Sequence, residues 1–81
     1  MAKVKLDYKL RQCDHCGAKN IKRSFCIYDK DNILHIGRIC LENEIFIDTS
    51  GNPNKAVKRV QKYLDNLKPY ELEAIWEMSD G

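Results

Sequence analysis

The chain has 81 residues, four of them cysteine, with 43% hydrophobic and 32% charged residues and a formal net charge of +2. That length leaves room for one small domain over 1–81, and no run approaches the ~18 apolar residues of a membrane helix. The start, Met1-Ala2-Lys3-Val4-Lys5-Leu6-Asp7, lacks the apolar stretch of a secretory signal, so a soluble, cytoplasmic chain with no membrane partner is expected.

A domain this small is marginal on hydrophobic burial and generally needs a staple. In a thiol-reducing compartment, clustered cysteines serve as metal ligands more often than as disulfides. The charge is uneven. Residues 1–38 carry nine Lys/Arg against four Asp/Glu, 39–52 none against three, 53–68 five against one, and 69–81 none against four. Two basic blocks and an acidic tail lie behind the small total, a pattern that suits nucleic acid without demanding it.

In chain order, Val4, Leu6, Tyr8 and Leu10 alternate with Lys3, Lys5, Asp7, Lys9 and Arg11, the period of a strand with one buried face. Cys13-Asp14-His15-Cys16-Gly17 follows as a knuckle whose glycine permits a tight turn. Ser24–Tyr28 and Ile33–Ile36, rich in β-branched and aromatic residues, flank the polar Asp29-Lys30-Asp31-Asn32 and read as a hairpin. Leu41–Ile47, beyond Gly37 and Cys40, fits either a helical turn or a short strand. Asn52-Pro53 is a helix start, with a capping side chain and a preset φ. Ala56, Val57, Val60, Tyr63, Leu64 and Leu67 then form one apolar stripe. Lys68-Pro69 interrupts it. Tyr70, Leu72, Ala74, Ile75, Trp76 and Met78 suggest a second, shorter helix to about Ser79, with Tyr70 and Trp76 in the core. The fold class expected is α+β: a zinc-stapled β-hairpin module over 1–47 and two helices over 53–79.

Cys13-x2-Cys16 is half of a tetrahedral thiolate site, because this spacing lets both sulfurs reach one ion at about 2.3 Å. Cys26 and Cys40 follow after nine and thirteen intervening residues, which is not the second CxxC of a standard ribbon. Two completions are open. Cys26 and Cys40 close an all-cysteine Zn2+ site, or Cys26 is a buried hairpin residue and His35 joins Cys13, Cys16 and Cys40. His15 is a further candidate, although its place inside the knuckle turns its ring toward solvent. A redox pair would need CxxC at a helix start in a βαβ setting, which the flanking pattern does not offer. A structural ion is therefore expected, since so short a chain offers little pocket for a catalytic one.

Cys13-Asp14-His15-Cys16-Gly17, Phe25-x-Ile27 and His35-Ile36-Gly37-Arg38-Ile39-Cys40-Leu41 together resemble a small zinc-binding module, treble-clef-like or zinc-ribbon-like, of uncharacterised phage- and plasmid-encoded proteins. The resemblance spans about residues 13–41 and implies Cys13, Cys16 and Cys40 as ligands.

Lys55, Lys58, Arg59 and Lys62 fall at i, i+3, i+4 and i+7, a basic ridge opposite the apolar stripe. With Lys22, Arg23 and Arg38 near the hairpin, they suit phosphate contacts of DNA or RNA, and Tyr28 is a candidate for stacking on a base. The competing expectation is an adaptor or inhibitor of the mobile-element type that binds a host protein. It would use the apolar face of the last helix, beside Glu71, Glu73, Glu77 and Asp80. No paired carboxylates, nucleophile with base, or phosphate-cradling glycine loop is present, so neither an enzyme nor a small-molecule substrate is expected.

Overall fold

The computed structural model describes residues 2–77. Strand β1 (Lys3–Asp7) pairs antiparallel with β2 (Ser24–Asp29), which pairs antiparallel with β3 (Asn32–Ile36), in the sheet order β1-β2-β3. The register aligns like with like: Val4, Ile27 and Leu34 form one cross-strand row, and Leu6, Phe25 and Ile36 the next. These six point to one face because side chains alternate along a strand. Residues between them in sequence, Lys5, Cys26 and His35, form a row on the opposite face. Tyr28 lies on that second face too, with the Lys5 ammonium 5.3 Å from its ring centre.

Helix α1 (Arg38–Ile45) starts directly after β3, and its one fully buried residue is Leu41. Helix α2 (Pro53–Asp65) buries Ala56, Val60 and Leu64. Its start follows the Asn52-Pro53 chemistry: the Asn52 Oδ1 accepts from the Asn54 amide at 2.8 Å. Helix α3 (Pro69–Glu77) buries Ile75, with Leu72 and Trp76 packed against the core. The α+β class is thus present among the described residues, with both expected C-terminal helices and a further one, α1, where the sequence left a helical turn or a strand open. The expected helical positions Met78 and Ser79, and the acidic Asp80, lie outside the described residues.

The first strand is shorter than its alternation suggests. Tyr8 and Leu10 are 67% and 63% exposed instead of continuing the buried face. The cause is local. The Asp7 carboxylate accepts the Lys9 amide at 2.9 Å and the Arg11 Nε at 2.9 Å, which turns the chain off the sheet. Tyr70 also departs from the expected core, being 68% exposed at the start of α3. Among the described residues, no helix is long and apolar enough to cross a membrane.

Candidate metal centre

The knuckle is held by its own backbone. Cys13 donates its amide to the Ala18 carbonyl at 2.8 Å, and Gly17 donates to the Cys13 carbonyl at 2.8 Å. Gly17 adopts φ +79°, a conformation that costs a side-chain-bearing residue energy and glycine almost none. Asp14 then ties the knuckle to β3: its amide donates to the His35 carbonyl, and its carboxylate accepts the His35 amide, each at 2.7 Å. Cys40 comes from the first turn of α1, which the Gly37 step brings round to the same place.

The outcome is one cluster. The Sγ atoms of Cys13, Cys16 and Cys40 all lie within 4.8 Å of one another. Tetrahedral thiolates at about 2.3 Å from one ion would stand about 3.8 Å apart, so this trio could hold a metal ion with little movement. Cys13 is buried, Cys40 half-buried and Cys16 exposed, and all four cysteines of the chain are free thiols.

The expected all-cysteine set is not brought together, since Cys26 lies outside the cluster. The sheet explains why: Cys13 belongs to the core on the Val4/Leu6 face, whereas Cys26 sits in the Lys5/Cys26/His35 row on the other face. Burial pushes the Cys26 thiol pKa up. His35, the alternative ligand, is also outside. Its Nδ1 lies 3.8 Å from Asp7 Oδ2, on the face away from the cluster. Nor does the His15 ring simply face solvent: it is half-buried, and its Nε2 meets Glu44 Oε1 at 2.9 Å. That contact clasps the knuckle to α1 one turn beyond Cys40. It could not be read from the sequence, because Glu44 looks like any charge on an outer helix face.

The electrostatics suit a cation. Burial opposes ionisation of Cys13, but backbone amides of Cys16, Gly37 and His15 aimed at its sulfur outweigh that cost and lower its pKa. The Gly37 amide lies 3.4 Å from this Sγ. Cys40 is pushed up to about 12, first by burial and then by the neighbouring Cys16 and Cys13 sulfurs. Three negative sulfurs at this separation repel one another, and a bound cation removes that repulsion.

Around the cluster lies a cavity of about 510 Å³ lined by Cys16, Cys40, Lys22, Arg23, Arg38 and Ile39, among others. Arg38 forms no ion pair with Asp48 and acts on its charge only at longer range. The Asp48 carboxyl is held below its ordinary range mainly by hydrogen bonds from Ser50, and then by Arg59 and Arg38. Lys55, Lys58, Arg59 and Lys62 are all exposed, as the ridge requires. Arg59 has a second duty, its Nη1 donating to the Asp48 carbonyl at 3.1 Å. Tyr28 is partly covered by Lys5, so it offers a poorer stacking surface than expected. Phe46, not singled out from sequence, is 88% exposed at the end of α1. Its φ of +57° marks a backbone conformation that non-glycine residues avoid, which no periodicity reveals.

Compared with family models, with curated proteins and with solved structures, the chain gives no match in any of the three.

Proposed function

We propose that this is a small zinc-binding module, non-enzymatic, that binds nucleic acid through its exposed basic side chains. The ion is zinc, held by Cys13, Cys16 and Cys40, because a thiolate-only donor set selects soft or borderline metals over Mg2+ or Ca2+. The order knuckle, hairpin, helix with a cysteine in its first turn favours the treble-clef-like form of the resemblance over the ribbon-like one.

The observation that carries the nucleic-acid reading is the exposure of two groups of cations: Lys55, Lys58, Arg59 and Lys62 on α2, and Lys22, Arg23 and Arg38 around the cavity. A surface of that kind releases counterions on binding phosphates and needs no base contact to do so. Exposed Phe46, three positions before Thr49 on the same connection, adds an aromatic plane for stacking. The adaptor reading has less support, because its apolar face is in use: Ile75, Leu72 and Trp76 of α3 pack on the body.

One set of proteins tests both parts. Cys16→Ser is expected to lose the metal, measured by elemental analysis, while Cys26→Ser keeps one equivalent; loss in both would reject the three-cysteine site. Binding to unrelated duplex DNA or RNA should weaken steeply with salt. Lys55→Glu with Lys58→Glu should lower the slope of log K against log salt by about 2. Arg59 is spared because it also holds the loop at Asp48. An unchanged slope, or no binding at low salt, would reject the nucleic-acid reading.

A further inference from the structure

The described residues supply three ligand atoms to the cluster, and two of their owners, Cys16 and Cys40, also line the cavity. We infer that the cavity is a phosphoryl-anion site, in which Lys22, Arg23 and Arg38 hold the anion while one of its oxygens occupies the fourth position on the metal. The inference rests on the metal reading above.

Three features converge on an anion. Lys22, Arg23 and Arg38 line the cavity, are exposed, and form no ion pair with any other described residue. Charge is the second: a divalent ion with three thiolates carries −1, and the three side chains bring the site to +2. A phosphate monoester carries about −1.5 to −2 near pH 7, which balances it. The third is fit. The cavity is of ligand-binding size, and Ile21 and Ile39 give it an apolar wall against which a sugar or base could lie. The N-terminus of α1, where no side chain caps the backbone, opens beside the same residues and adds favourable amide dipoles. Binding is ligand exchange without redox change: a phosphate oxygen donates a lone pair to the metal as a solvent molecule leaves.

The shared chemistry is the phosphoryl group, whether as free phosphate or as the terminal phosphate of a strand. The test loads the full chain with Co2+, whose visible spectrum reports its ligands, and titrates inorganic phosphate against chloride at matched ionic strength. A saturable spectral change with phosphate alone is expected, with affinity about tenfold weaker in Arg38→Gln and in Lys22→Gln. Lys30→Gln, on the distant hairpin turn, should leave it unchanged. A stoichiometric cobalt spectrum that phosphate does not alter would overturn the inference and leave the metal reading standing. Bleaching by extraction of the ion would overturn it too. Failure to bind one cobalt per chain would instead remove the metal reading, and the inference with it. A 5′-phosphorylated oligonucleotide that acts at lower concentration than inorganic phosphate assigns the site to strand ends, and the reverse order assigns it to the free anion.

Discussion

Replacing Leu41 by Ala should weaken metal binding although Leu41 touches no ion. Helix α1 has eight residues, too few to persist on its own in water, and Leu41 is the one it buries fully. The position of Cys40, its sequence neighbour, thus depends on how firmly Leu41 is seated. The substitution removes three carbons, about 2.4 kcal/mol of transfer energy at ~0.8 kcal/mol each. The cavity left behind raises the total to about 3–5 kcal/mol. Where ligand assembly and folding are one equilibrium, every 1.4 kcal/mol lost from the folded form reduces apparent metal affinity about tenfold. A fall of at least about 100-fold is expected, read by competition with a chelator of known affinity while urea unfolding gives the stability loss on the same protein. A Leu41→Ala protein that unfolds more easily yet binds metal within about threefold of the parent would refute the coupling of α1 docking to the site.

Two further predictions concern the knuckle and the carboxylates. Gly17→Ala should cost about 1–2 kcal/mol because of its φ of +79°, whereas Gly37→Ala should be nearly neutral, its new Cβ meeting Ile21 Cδ1 at an ordinary 3.4 Å; equal melting temperatures for the two variants would contradict this. Glu42 accepts from both the Thr49 hydroxyl and the Thr49 amide, which together hold its carboxyl below the usual 4.5. A depressed folded pKa means that the unfolded chain binds more protons. This stabilisation is therefore complete above about pH 4.5 and is lost as pH falls through the lower folded value. Glu42→Gln should accordingly lose less stability than the parent between pH 5 and pH 3 in denaturant titrations, and parallel acid curves would count against the Thr49 contacts.

Strand β2 and helix α2 were readable for different reasons. β2 is rich in aromatic and β-branched residues although it is buried on both faces from Ser24 to Ile27, and in α2 the buried Ala56, Val60 and Leu64 recur every fourth residue. Helix α1 was not readable. With one buried residue and no amphipathic face, its form depends on where Gly37 and Cys40 must sit relative to the knuckle, which is tertiary information. The end of β1 escaped for a similar reason, since Tyr8 and Leu10 keep the strand pattern while Asp7 captures the backbone that would have continued it. At the site, CxxC spacing pointed to Cys13 and Cys16, and Cys40 could be reached by counting donors. The exclusion of Cys26 required knowing on which face of β2 it stands. The hold of Arg59 on the Asp48 carbonyl, eleven positions away, likewise leaves no mark on either local pattern.

Both margins of the sheet are occupied from within the same chain. Along β1, the Gln61 side chain accepts the Val4 amide at 3.0 Å and donates to the Ala2 carbonyl at 3.1 Å, and along β3 Asp14 does the equivalent for His35. An incoming strand from another molecule would have to displace these groups before it could add to either side. Three short strands that would otherwise invite fibrillar stacking are thereby kept solitary, and loosening of the knuckle would uncover the β3 margin while leaving that of β1 guarded.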